Sequence, residues 1–147
     1  WGSKQLEAIE FGNTMHEILS YVRNKYDVEL AITKAIENGL ITEMQKSVVH
    51  KMLEDIVQHP DLVAFFDENA EVFNERTILK KDTKNHIPDW IVIKNKDAYL
   101  LDYKTGTHNQ KYVTQIAEYE NALQEMGYEV QKKSLIYIGE KIEIVNL

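Results

Sequence analysis

The hydrophobic period of this chain changes once, near residue 70, and that change restricts the fold more than any other feature. Before it, apolar residues recur at helical spacing. Phe11, Met15, Ile18, Leu19 and Val22 share one stripe. A second helix is expected from about Val28 to Asn38, ended by Gly39. Thr42 with Gln45 has capping-box spacing and should open a third, with Met44, Val48, Met52, Leu53 and Ile56 as its apolar positions. Pro60 stops that helix and suits the first turn of a short fourth around Leu62 to Phe66.

After it, Glu71 to Leu79, Pro88 to Ile93 and Ala98 to Tyr103 are rich in Ile, Val, Phe and Tyr and read as strands. Asn109 to Met126 returns to helical period, with Tyr112, Gln115, Ile116, Tyr119, Leu123 and Met126 as its inward stripe. It is closed by Gly127. Two strands follow, about Glu129 to Ile138 and Lys141 to Val145, around a tight turn at Gly139-Glu140. Three sequential strands predict an antiparallel meander. The strand–helix–strand step predicts a crossover to a parallel neighbour. The expected fold class is therefore mixed α/β, a mixed sheet flanked by helices with an N-terminal helical portion.

The length, 147 residues, suits one domain: a helical portion over about 11–69 and a sheet-and-helix core over about 70–147. Trp1-Gly2-Ser3 begins without Met and is left out of the fold reading. No window approaches 18 consecutive apolar residues, and no basic-then-apolar leader opens the chain, so no membrane partner is expected. The absence of cysteine removes disulfides, thiol catalysis, zinc ribbons and Cys-ligated iron–sulfur clusters. With 28% charged residues, a cytoplasmic location is expected. The formal net charge of −7 argues against a duplex-binding footprint, unless metal ions mediate contact with phosphates.

The strongest chemical signal lies in the two middle strands. Residues two apart in a strand share a face, so Asp102 and Lys104 project together beside Ala98 and Leu100, while Tyr103 sides with Tyr99 and Leu101. If the strands pair, Asp89 stands beside Asp102. Two carboxylates and a backbone carbonyl make a compact site for a hard divalent cation, and a lysine beside it can steady a developing oxyanion. The same residues also read as a plain surface ion pair at a strand end. The apolar run into Asp102 favours the first reading, because a buried charge needs a reason. His16 on its own reads as a core-rim histidine, Gln115 as a satisfied core-edge amide, and Glu75 as one half of a cross-strand ion pair. His50, His59, His86 and His108 are expected to be structural or solvent-facing, and the lysines at 80, 81, 84, 94 and 96 solvated.

Read in order, Gly12-Asn13-Thr14-Met15-His16, Asn74-Glu75-Arg76, Ile87-Pro88-Asp89, Leu101-Asp102-Tyr103-Lys104-Thr105-Gly106 and Gln115-Ile116-Ala117-Glu118-Tyr119 resemble the PD-(D/E)XK nuclease superfamily. More narrowly they resemble the RecB/AddA-type exonuclease domain of bacterial recombination helicase–nucleases. The resemblance implies a restriction-endonuclease-like core. It implies metal ligation by His16, Asp89, Asp102 and the Tyr103 carbonyl, and catalytic roles for Asp89, Asp102 and Lys104 with Glu75 in support. It also implies that Gln115 and Tyr119 position DNA. The implied activity is Mg²⁺- or Mn²⁺-dependent deoxyribonuclease action in double-strand break repair and recombination, without an iron–sulfur cluster. The implied partners are single-stranded DNA ends, a linked helicase region and a second subunit. The alternatives are a catalytically silent module that docks DNA or a partner, and a stand-alone junction or restriction-type endonuclease.

Overall fold

A computed structural model describes residues 2–67, 71–73, 88–139 and 141–147, and the side chains of 10–67, 88–139 and 141–147. Helices α1 (Gly2–Leu19), α2 (Val28–Glu37) and α3 (Lys46–Gln58) come first. Strands β1 (Glu71–Phe73), β2 (Trp90–Lys94) and β3 (Asp97–Lys104), helix α4 (Gln110–Glu125), and strands β4 (Glu129–Ile138) and β5 (Ile142–Asn146) follow.

The helical half starts earlier and ends more tightly than its sequence implies. α1 already begins at Gly2, inside the tripeptide set aside above, and Val22 lies beyond its end yet is fully buried. The Gln45 side chain accepts the Thr42 N–H at 2.9 Å, as the capping-box spacing implied, but it opens the 3-10 turn Glu43–Gln45 ahead of α3. Met44 and Val48 were expected to face the core. They are 91% and 58% exposed, and α3 instead buries Val49, Leu53, Ile56 and Val57. Val49, Leu53, Ile56 and Val57 stand at i, i+4, i+7 and i+8 on one face of α3, and Val48 lies one residue, about 100°, to the side of that stripe. The fourth helix is the 3-10 turn Val63–Phe66.

The sheet order is β1-β2-β3-β4-β5. β1, β2 and β3 form the antiparallel meander, β4 joins β3 in parallel after the α4 crossover, and β5 returns antiparallel. The β2–β3 hairpin closes through two residues, and Asn95 takes φ 59°, the positive φ that such a short connection requires. This is the mixed α/β class with a mixed sheet that the change of period implied. Of the expected strand Glu71 to Leu79, residues 74–79 lie outside the described part, as does Glu140 of the last hairpin.

Two apolar layers cover the sheet. One joins Met15, Ile18, Leu19, Leu53 and Phe65 to Trp90, Val92, Leu101, Tyr103 and Ile136. The other joins Ile116, Tyr119 and Leu123 of α4 to Ile91, Ile93, Ala98, Leu100, Leu135 and Tyr137. Strand alternation produces both: odd and even residues of β3 go to opposite helical layers. Near-continuous burial along β2 and β3 follows, because neither face meets water.

Candidate functional site

The site forms where β3 emerges between the two layers. Trp90 pairs with Leu101, so the next position outward sets Asp89 against Asp102. The pairing is reinforced by side chains. The Asp89 N–H donates to Asp102 Oδ1 at 2.9 Å, and the Tyr103 N–H donates to Asp89 Oδ2 at 2.9 Å. Each carboxylate thus caps the partner strand where the ladder ends, which satisfies backbone donors that the edge would otherwise leave open. Asp102 is fully buried, and its Oδ2 lies 3.0 Å from Lys104 Nζ, itself largely buried. The buried charge has its reason: an ammonium and an N–H hold it.

α1 brings the third group. His16 Nε2 lies 2.9 Å from Asp89 Oδ1, and its ring meets Tyr103 edge-on at 5.5 Å between centroids. Gly12, one helical turn earlier, explains the approach. A Cβ there would collide with the Thr105 methyl and come within 3.3 Å of the Ile138 carbonyl oxygen. Only a residue without a side chain lets α1 lie this close to the ends of β3 and β4. From the opposite layer α4 presents Tyr112, whose ring centroid is 4.6 Å from Lys104 Nζ. A cavity of about 290 Å³ lies between them, lined by Gly12, Asn13, His16, Asp89, Tyr103, Lys104, Thr105, Tyr112 and Ile138.

Electrostatics follow from crowding. The hydrogen bond to Asp89 raises the His16 imidazole above its ordinary value, against the opposing effect of burial. Burial raises Asp89, and the neighbouring Asp102 adds to that rise, although the His16 hydrogen bond opposes it. Burial also pushes the Tyr103 phenol well up, with both aspartates adding to the effect. Among the described residues, the Tyr103 hydroxyl and Gln115 Oε1 are buried without a hydrogen-bond partner.

The sequence-derived residues fare differently. His16, Asp89, Asp102, Tyr103 and Lys104 come together as a single cluster. Gln115 is half-buried on α4, and Tyr119, one turn on, is 1% exposed and packed in the second apolar layer. Glu75 and Arg76 lie outside the described residues, as do His86 and the lysines at 80, 81 and 84. Of the remaining histidines, His50 contacts Glu29 and His108 contacts Glu143. Sequence reading assigned Tyr112 only to the inward stripe of α4. Its spacing to Gln115 and Tyr119 placed it on that face, but its position over Lys104 depends on how α4 crosses the sheet.

The donor set suits a hard divalent cation in kind: two carboxylates, a carbonyl and an imidazole. In this structure His16 and Asp89 spend that capacity on each other, in a hydrogen bond of 2.9 Å. Among the described residues no three His, Cys, Asp or Glu side chains form a metal-holding group.

No curated protein matches the chain. The family model of the dynamin GTPase effector domain matches residues 6–88. This overturns the resemblance to the PD-(D/E)XK superfamily and its RecB/AddA-type branch. The expectations of a deoxyribonuclease, of DNA repair and recombination, and of DNA, helicase and second-subunit partners go with it. The physical reason is the brevity of the motifs. Carboxylate–lysine strings of three to six residues arise wherever a buried strand reaches a charged edge, and a match over 6–88 weighs many more positions at once. With DNA removed as partner, Gln115 and Tyr119 keep their place on α4 but lose the DNA-positioning role. The match ends immediately before Asp89, so His16 lies within it and Asp89, Asp102 and Lys104 beyond it. Spanning more than half of the 147 residues, it shows that the chain belongs to the dynamin GTPase effector domain family.

Proposed function

We propose that this chain is an effector module for a dynamin-type GTPase, and that a divalent cation held by His16, Asp89 and Asp102 ties its helical portion to its sheet. The family match over residues 6–88 supports the effector role. The single observation behind the cation is the convergence of a helix imidazole on a cross-strand carboxylate pair, with His16 2.9 Å from Asp89. Mg²⁺ or Mn²⁺ bound there offsets the like charges of Asp89 and Asp102, with the Tyr103 carbonyl as a further oxygen donor. Lys104 holds Asp102 in place from the other side.

Three finer features belong to the same reading. The meander, the α4 crossover and the parallel β3–β4 pair support a restriction-endonuclease-like core, a fold that carries no activity by itself. One sheet shared by both apolar layers supports a single domain over residues 1–147. A cytoplasmic address suits a cysteine-free chain with 28% charged residues.

Two measurements test the proposal. Added to a dynamin-type GTPase domain, the chain should accelerate GTP hydrolysis; an unchanged rate refutes the effector role. Titrated with Mn²⁺ and followed by the paramagnetic resonance of the free ion, it should bind one equivalent, and Asp102→Asn should not. Equal uptake by both proteins refutes the site.

A further inference from the structure

The connection from β3 to α4 runs from Thr105 to Asn109 and borders the cavity beside Lys104. Thr105 lines that cavity and sets its methyl against Gly12 of α1, while Tyr112, in the first turn of α4, lines it from the other layer. Between them the segment buries little of itself. Gly106, Thr107, His108 and Asn109 are exposed, and Gly106 takes φ 83°, a left-handed conformation that glycine adopts freely. What fastens the segment is His108. Tyr137 of β4 and Glu143 of β5 stand opposite one another in the ladder, so both side chains face the α4 layer. His108 spans the pair. Its ring stacks on Tyr137, 4.1 Å between centroids and 10° between planes, and its Nε2 lies 3.0 Å from Glu143 Oε2. The Asn109 backbone hydrogen-bonds the Tyr137 hydroxyl, and Tyr112 tilts against the same ring at 6.4 Å.

We propose that Thr105 to Asn109 is a strap beside this cavity, with His108 as its latch. Released from Tyr137 and Glu143, the strap swings about Gly106, takes Thr105 off Gly12 and Tyr112 off Lys104, and opens the cavity between α1 and α4. The latch is built to be reversible. Its imidazole and carboxylate are 55% and 61% exposed, so water and salt weaken their attraction. The stack on Tyr137 adds a second hold of modest strength. Exposed backbone held by few contacts opens without the rest of the fold, which is the property a gating segment needs. The strap acts on access to the cavity, whichever ligand enters it.

The chain has no cysteine, so one introduced thiol reports on one place. Thr105→Cys sets it at the start of the strap, half-buried against Gly12, where its rate of modification by N-ethylmaleimide follows strap opening. The assay runs without added metal, so its result is independent of cation binding. His108→Ala should raise that rate at least threefold. Glu143→Ala should raise it less, and should add nothing once His108 is gone. Hydrogen exchange of the amides at 106–110, in the chain without the thiol, should follow the same order. Val49→Cys, fully buried on α3, is the control, and His108→Ala should leave its rate unchanged. An unchanged rate at Thr105→Cys overturns the proposal. So do independent effects of His108→Ala and Glu143→Ala, or an equal rise at Val49→Cys, which marks a general loosening of the fold.

Discussion

Asp102→Asn separates the two tasks of the buried carboxylate. The change keeps the side chain's shape, and the amide oxygen can still accept the Asp89 N–H that Asp102 Oδ1 accepts at 2.9 Å. It removes the negative partner that lies 3.0 Å from Lys104 Nζ. A hydrogen bond to a charged group contributes about 1.5–3 kcal/mol, and loss of the like charge beside Asp89 offsets part of that. The metal-free variant should therefore be less stable by about 1–2 kcal/mol. The larger difference appears with the cation. Binding at one hundred times the dissociation constant stabilises a folded chain by about 2.7 kcal/mol, which at about 2–4 °C per kcal/mol raises Tm by about 5–11 °C. Thermal melts followed by circular dichroism, with and without saturating Mn²⁺, should show that rise in the parent protein and none in Asp102→Asn. A parent protein indifferent to Mn²⁺, or a variant with the full rise, would refute the assignment of Asp102 as ligand.

Gly12→Val should lower Tm and weaken Mn²⁺ uptake together, because the new side chain forces α1 off Thr105 and the Ile138 carbonyl and draws His16 away from Asp89; melts and titration check both. Trp90→Phe removes the indole N–H that donates to the Phe65 carbonyl at 3.0 Å in a side chain 1% exposed; urea unfolding should show a loss of about 1–3 kcal/mol. Tyr119 is pushed up to about 12 by burial. Its folded value lies above the unfolded one, near 10, so its contribution is complete below about pH 10 and is lost as pH rises towards 12. Urea midpoints across that range should fall less steeply in Tyr119→Phe than in the parent.

By itself the sequence determined the elements and their faces. The alternation of β3 assigned Leu100 and Asp102 to one side and Leu101 and Tyr103 to the other. The pairing of Asp89 with Asp102 followed once the β2–β3 register existed, because period 2 admits no intermediate. Local periodicity was misleading where two apolar neighbours both fit a helical stripe: packing buried Val49 with Leu53, Ile56 and Val57 and left Val48 outside, while Met44 sits exposed in the 3-10 turn Glu43–Gln45. Tertiary structure alone decided what came together from a distance. His16 reaches Asp89 because Gly12 lets α1 lie against the sheet end, and Tyr112 covers Lys104 because α4 crosses the opposite face. Neither contact has a local signature in sequence, since each depends on how two layers settle on one sheet. Function was the least legible part. A cluster of Asp, Asp, His and Lys has the same composition whether it serves chemistry or joins a helix to a sheet, and its motifs are too short to separate the two.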